Sequence, residues 1–281
     1  MSDAAPVAST SLPAEPTAAT TAAEVTRVVP AGPSARAWDT LAVETPVALR
    51  YNGTSHVVMM ASPADLVDFA YGFSLAEGVV AGADEVSAVT TEPVGAGIAV
   101  AIQIPDVRAR ALRARSRNLP GRTGCGLCGV TEIETALRPL PNVPATLPYP
   151  AGAIDTAVNA IAPLQAANRA SGALHAAAFA DRQGRVLTLR EDVGRHNALD
   201  KLIGSLARAA IAPTAGFVVV TSRCSMEMVQ KTATFGCPMI VALSAPTALA
   251  VRLADRANIT VCAFARGAGC NVYSHAETVT S

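Results

Sequence analysis

The chain has 281 residues, 51% of them hydrophobic, which is enough for one large or two modest domains with a real core. Lys and Arg number 22 against 22 Asp and Glu, so the formal net charge is zero, and the basic excess of a general nucleic-acid binder is absent. Six cysteines at scattered spacings make no disulfide framework of a small secreted domain, and no apolar run approaches the ~20 residues that span a bilayer.

The start, Met1-Ser2-Asp3, is acidic and is followed by no apolar leader stretch, so the expectation is a reduced, cytoplasmic protein. Residues 1–36 are rich in Ala, Thr and Pro and poor in large apolar groups, which predicts a disordered tail. From Thr40 to Tyr51 the pattern is β-like, with Val43, Val47 and Leu49 at a period of two. Asn52-Gly53 is a hairpin turn signal, because both residues tolerate positive φ, and His56 to Met60 is the return strand. Ser62-Pro63-Ala64-Asp65 opens a helix that carries Leu66, Phe69, Ala70 and Phe73 at helical spacing to about Glu77, and Gly78 ends it. Val86–Val89 and Gly97–Ile104 read as further strands.

Arg108 to Arg122 holds six arginines, and no acid lies between Val107 and Thr131. The run is either a solvated helix face or a guide for an anion, and it leads into a cysteine pair. Pro139–Pro150 reads as a linker, which divides the chain into a tail (1–36), a small α/β domain (37–145) and a larger α/β domain (146–281). In the larger unit Ser171–Ala180 is expected as a short helix, Val186–Arg190 as a strand, Glu191–Asn197 as a polar loop and Ala198–Ala210 as a helix. Strands at Phe217–Thr221, Met239–Leu243 and Ile259–Phe264 then alternate with helices at Met226–Thr234 and Pro246–Ala257. This alternation predicts a largely parallel sheet with helices packed on it, and ligands bind such sheets at the strands' carboxyl ends. Those ends are Arg190-Glu191-Asp192, Ser222-Arg223, Ser244 and Ala265-Arg266-Gly267.

The most informative stretch is Gly121-Arg122-Thr123-Gly124-Cys125-Gly126-Leu127-Cys128-Gly129. Four glycines around two cysteines let another molecule approach the sulfurs, and nearby arginine favours the reactive thiolate. Read alone, the pair leaves sulfur transfer, a metal site and thioredoxin-like redox chemistry open. Cys262 in its apolar strand is expected to be core, whereas Cys224 and Cys270 fall at strand ends where an accessory thiol is conceivable. His175 is followed two residues later by Ala177, where a zinc deaminase needs glutamate, and the cysteine pair precedes it instead of following it; deaminase chemistry is therefore not expected. Arg195, His196 and Asn197 form a polar knot read as helix cap or ligand contact, and Glu227 and Lys231 as an i, i+4 pair or part of a site.

After the cysteine pair stand, in order, Glu191-Asp192-Val193-Gly194-Arg195-His196-Asn197-Ala198-Leu199-Asp200-Lys201, Glu227-Met228-Val229-Gln230-Lys231, Ser244-Ala245-Pro246-Thr247 and Phe264-Ala265-Arg266-Gly267. Together with the cysteines these segments resemble the formate dehydrogenase accessory sulfurtransferase family, over roughly residues 40 to 275. The resemblance implies an α/β fold with a cytidine deaminase-like three-layer domain preceded by a smaller, roll-like α/β domain. It also implies a sulfurtransferase that takes persulfide sulfur from a cysteine desulfurase. The acceptor would be the bis-guanine-dinucleotide molybdenum cofactor, before that cofactor enters the formate dehydrogenase apoenzyme. Cys125 matches the family's carrier cysteine and Cys128 the second cysteine of its motif. Phe264, Ala265, Arg266, Gly267, Ala268 and Gly269 match its cofactor-binding stretch. The resemblance also suggests a homodimer, while the charge balance and the lack of a long apolar run predict no nucleic acid and no membrane span, and no resident metal is expected. The competing class is a cofactor-binding chaperone, without catalysis, whose C-x-x-C holds metal.

Overall fold

A computed structural model describes residues 18–30, 32–117, 139–145, 147–267 and 269–281, with the backbone alone over 115–117. The elements run β1 (Thr20–Arg27), β2 (Ala35–Ala42), β3 (Thr45–Tyr51), β4 (Thr54–Ala61), α1 (Leu66–Ala76), β5 (Ala88–Val94), β6 (Gly97–Gln103) and α2 (Asp106–Arg117). They continue β7 (Tyr149–Pro150), α3 (Ala151–Leu164), α4 (Ala166–Ser171), β8 (His175–Asp181), β9 (Val186–Asp192), α5 (Arg195–Arg208) and β10 (Gly216–Val220). The last are α6 (Met226–Phe235), β11 (Met239–Ala242), α7 (Ala248–Arg256), β12 (Thr260–Ala263), β13 (Asn271–Ser274) and β14 (Val279–Thr280). Among the described residues no helix is long and apolar enough to cross a membrane.

The first sheet has the order β4-β3-β6-β5. Its β3–β4 hairpin closes on Tyr51 opposite Thr54, with Asn52 and Gly53 both at positive φ, as the turn signal required. Val47, Leu49 and Tyr51 alternate inward to meet Leu66, Phe69, Ala70 and Phe73 of α1. The second sheet has the order β13-β12-β11-β10-β8-β9. Only β10, β11 and β12 run parallel, and β8, β9 and β13 are antiparallel additions, so the sheet is mixed, where a largely parallel one was expected.

Strict alternation assigns the faces of the second sheet. Ala177, Phe179, Val218, Val220, Ile240, Ala242, Val261 and Ala263 pack with α5, α6 and α7. Ala178, Ala180, Phe217, Val219, Met239, Val241 and Cys262 pack on the opposite side with Ile154, Ala157, Val158 and Ile161 of α3. Helices therefore cover both faces, and the buried strands read as continuous apolar runs.

Three expectations are corrected here. The helix predicted over Ser171–Ala180 is strand β8 from His175 onward. Its alanines favour a helix by propensity, but burial on both faces and pairing with β9 and β10 override that preference. The disordered tail predicted for residues 1–36 does not hold over Thr20–Arg27, because β1 pairs along its whole length with β2. The segment expected as a linker is docked: Val143 is buried and donates its N–H to the Ala257 carbonyl at 2.9 Å, and Tyr149 is buried in β7.

The two sheets meet through α1 and α5. A Cβ added to Gly72 would lie 1.6 Å from the Asp200 carbonyl oxygen, and one on Gly204 1.8 Å from the Asp68 carbonyl oxygen. The two backbones thus touch where the helices cross, and only glycine fits at either position. Asp68, itself buried, accepts from Arg190 Nε of β9 at 2.8 Å and from Arg208 at the end of α5. We expect Gly72→Ala and Gly204→Ala each to lower stability by about 3 kcal/mol or more, because backbone must move to admit the methyl. Urea denaturation checks this; a loss under roughly 1 kcal/mol would mean that the crossing is loose.

Candidate functional site at the strand carboxyl edge

The parallel strands β10, β11 and β12 end on one edge of the second sheet. Register ties the residues beyond them together: Leu243 N–H donates to the Val220 carbonyl at 3.0 Å, Phe264 N–H to Ser244 at 3.2 Å and Ala265 N–H to Ala242 at 3.2 Å. The start of β8 and the end of β9 join the same edge, since His175 pairs with Asp192 and Ala176 N–H donates to Thr221 Oγ1 at 2.9 Å. The strand ends picked out in the sequence are therefore neighbours.

Phe264 is partly exposed and holds a left-handed φ of 53°. Ala265 is buried, and the exposed Arg266 places its guanidinium carbon 5.9 Å from the centre of the Phe264 ring. Gly267 and Gly269 have φ of 69° and 137°, conformations that side chains disfavour, so glycine serves the turn here. Ala268 lies outside the described residues, as do Cys125 and Cys128. Arg122 lies outside them too, and the side chains of Arg115 and Arg117 are likewise not described.

The polar segments after the cysteine pair prove to be two things at once. Part of them is buried scaffold. Asp192 and Lys201 form a wholly buried ion pair at 2.6 Å. Asp192 also accepts from Ser62 N–H (3.0 Å), Gly194 N–H (2.8 Å) and Asn197 Nδ2 (3.0 Å), while Lys201 donates to the Ser62 carbonyl at 2.9 Å. Both Asp192 oxygens accept and Lys201 finds two acceptors, which makes the buried pair tolerable. Asn197 is spent here and on the Met60 carbonyl at 2.8 Å, inside the first turn of α5, so it does not cap the helix. Lys231 pairs with Asp200 at 2.8 Å and Glu77 at 2.9 Å rather than with Glu227. Burial pushes the Asp200 carboxyl up to about 6 in spite of Lys231, and the two carboxylates hold the lysine above its ordinary range against its own burial. Glu191 accepts from Ala167 and Asn168 N–H groups at 2.9 and 2.8 Å, capping the start of α4.

The remainder faces the edge. His196 Nε2 lies 3.6 Å from Glu227 Oε2, an ionic distance beyond hydrogen-bond length. Ser225 donates to the same oxygen at 2.7 Å. Glu227 is held down to about 2, first by the facing His196 ring and, against burial, by the Ser225 hydroxyl. His175 is pulled below its ordinary value by burial and then by the Arg195 charge. Arg195 Nε and His196 Nε2 are both buried and have no hydrogen-bond partner among the described residues. With the exposed Arg223 and Arg266, the edge carries orphaned buried nitrogens and free cationic forks. Such a surface is suited to an anion with several acceptor oxygens.

Cys224 does not serve the edge as an accessory thiol. It is fully buried, and desolvation pushes its thiol up to about 12. Sequence reasoning missed the Gly72–Gly204 crossing and the Asp68, Asp192 and Asp200 hubs. A glycine in the middle of each of two helical patterns was the available signal.

Fold and edge define the class: a mixed α/β protein with a three-layer sheet unit and a basic carboxyl edge. The chain belongs to the FdhD/NarQ family, which it matches over residues 42–280. It is 51% identical over 239 residues to a sulfur carrier protein FdhD from Bordetella petrii, covering 85% of this chain and 86% of that one. A protein of the same name from Xanthomonas euvesicatoria pv. vesicatoria is 50% identical over 246 residues, 88% of each chain. In fold, the chain is similar to a crystal structure from Desulfotalea psychrophila described as a formate dehydrogenase accessory protein. That likeness has a TM-score of 0.74 at 23% identity and covers 94% of this chain and all of the other.

A pH prediction follows from Glu227. Its carboxyl is depressed from an ordinary 4.5 to about 2, so the stabilisation is complete above about 4.5 and is lost as pH falls through about 2. Glu227→Gln should be less stable than the parent by roughly 1 kcal/mol at neutral pH, after allowance for screening. The gap should close on acidification through that window; a gap independent of pH in urea titrations would show that the folded state does not depress the Glu227 carboxyl.

Proposed function

We propose that this chain is a sulfur carrier for formate dehydrogenase maturation. In this reading it takes persulfide sulfur from a cysteine desulfurase on Cys125, with Cys128 assisting or relaying. It then delivers the sulfur to the bis-guanine-dinucleotide molybdenum cofactor as acceptor. Family membership and identity of about one half to proteins named sulfur carriers support the class. The observation that carries the acceptor half is the edge itself: among the described residues the buried Arg195 Nε and His196 Nε2 have no hydrogen-bond partner, and the exposed Arg223 and Arg266 follow β10 and β12 on the same sheet edge. A dinucleotide's pyrophosphate wants such guanidinium forks.

On this reading the chemistry is thiol exchange. A Cys125 thiolate attacks the terminal sulfur of the donor's persulfide, a new S–S bond forms on Cys125, and the donor leaves as thiolate. The glycines flanking the pair in sequence keep bulk away from that attack. We further assign the three-layer unit to the cytidine deaminase-like fold and the sheet around β3 and β6 to the smaller roll-like domain, in a cytoplasmic homodimer. Helices on both faces of the six-stranded sheet support that layering.

Intact mass and peptide mapping after reaction with a cysteine desulfurase and L-cysteine test the reading. One extra sulfur on the Cys125 peptide, lost in Cys125→Ala, is expected. No sulfur, with stoichiometric zinc bound instead, would make the protein a cofactor-binding chaperone with a metal knuckle.

A further inference from the structure

Helix α2 carries arginines of two kinds. Ala109 and Leu112 are buried in the core of the first sheet and fix the helix against it. Near the helix start, Arg108 makes a two-pronged pair with Glu85, Nε to Oε2 at 2.9 Å and Nη2 to Oε1 at 2.8 Å. Asp106 accepts from Asn52 Nδ2 at 3.2 Å. The acids at this end are thereby occupied. Further along the helix, Arg110 and Arg113 are exposed, and no carboxylate among the described residues pairs with either.

Both arginines line a cavity of about 610 Å³ between α2 and the β3–β4 hairpin. Its apolar lining is Tyr51, Ala109 and Leu112, all buried. The walls are set by the fold. The Tyr51 hydroxyl is bonded to Ser74 Oγ at 2.8 Å, so no polar group on the floor is left waiting for water. His56 lines the cavity with its ring edge-on to Tyr51 and Phe73, at 5.6 and 6.1 Å between centres. At the hairpin tip the Asn52 side chain bonds both the N–H and the carbonyl of Ile104, each at 2.9 Å. Arg113 Nη1 donates to Thr54 Oγ1 at 3.3 Å, tying helix to hairpin. A preformed apolar pocket with a rim of arginines is the anatomy of a protein–protein anchor site, where one apolar side chain is taken up and charges around it set the partner.

We propose that this cavity, with its rim of Arg110 and Arg113, is the docking surface for the sulfur donor, which enters it with an acidic segment carrying an apolar anchor side chain. The proposal rests on the sulfur-carrier reading above and adds the face on which the donor sits. Charge decides the chemistry of the occupant: two exposed guanidinium groups without counter-charges are matched by carboxylates and repel a basic surface. Chain connectivity decides which partner. Cys125 follows Arg117, the last residue of α2, by eight residues, so at most roughly 30 Å of extended chain separates the helix end from the carrier cysteine. A donor held on α2 is therefore held within reach of that thiol.

The test measures binding of the full chain to a cysteine desulfurase, and sulfur loading of the Cys125 peptide against desulfurase concentration. Arg110→Gln with Arg113→Gln should slow association about tenfold at low salt, and the gap to the parent should shrink at roughly 1 M salt, where charges are screened beyond about 3 Å. In loading, KM for the desulfurase should rise about tenfold with kcat unchanged, because docking is weakened and the chemistry is not. Ser55→Trp fills the cavity without changing charge and should weaken binding at every salt concentration. Arg252→Gln with Arg256→Gln removes the same charge from α7 and should bind as the parent does. All five positions are exposed, so every variant should keep the parent's urea midpoint. Parent affinity in the α2 and Ser55→Trp variants, with sulfur still reaching Cys125, overturns the docking face and leaves the carrier reading intact. Equal weakening by the α7 variant overturns it in favour of overall charge. Lost binding to the formate dehydrogenase apoenzyme, with desulfurase binding unchanged, overturns the choice of occupant. No sulfur on Cys125 of the parent chain overturns both readings.

Discussion

The contact between Gly72 of α1 and Gly204 of α5 is the constraint on which the rest depends. Both helices already serve a sheet, α1 through its phenylalanines and α5 through its leucines. They join the two sheet units only because neither carries a side chain where they cross. Close approach then brings Asp68 within reach of Arg190 and Arg208, and Asp200 and Glu77 within reach of Lys231. The ion pairs are too costly to form without that proximity, and once formed they fix the register of the helices.

The same arrangement decides what the polar motifs can do. Asp192 anchors the end of β9 to Ser62 at the end of β4 and to Lys201 of α5. That anchor orients the first turn of α5, so Arg195 and His196 project toward the strand edge while Asn197 is consumed inside. Glu227 of α6 then meets His196 from the neighbouring helix. A segment that reads in sequence as one polar cluster is divided residue by residue between scaffold and site. The division follows the helical period, with His196 and Arg195 on one side and Asn197 and Lys201 on the other.

Thiol chemistry is sorted by the same means. Cys224 and Cys237 are buried in the core under α5 and α6, where desolvation pushes each thiol up to about 12. Cys270 differs because it sits past a glycine turn and is only half-buried. Spacing along the chain could not distinguish the three, since reactivity depends on solvent and on a partner strand.

By itself the sequence determined the hairpin at Asn52-Gly53, the apolar alternation of β10, β11 and β12, the carboxyl ends on which polar residues gather, and the family to which the chain belongs. These are local patterns, readable because turn chemistry and side-chain period act over a few residues. Tertiary structure alone decided that His175–Asp181 is a strand, that β8, β9 and β13 make the sheet mixed, that residues 20–27 pair with β2, and that Glu227 faces His196 and not Lys231. Each of those outcomes turns on pairing or packing partners, most of them more than ten residues away. An alanine-rich run has no helix-or-strand preference strong enough to resist burial between two strands, and a charged side chain takes the counter-charge that packing brings to it rather than the one its own helix offers.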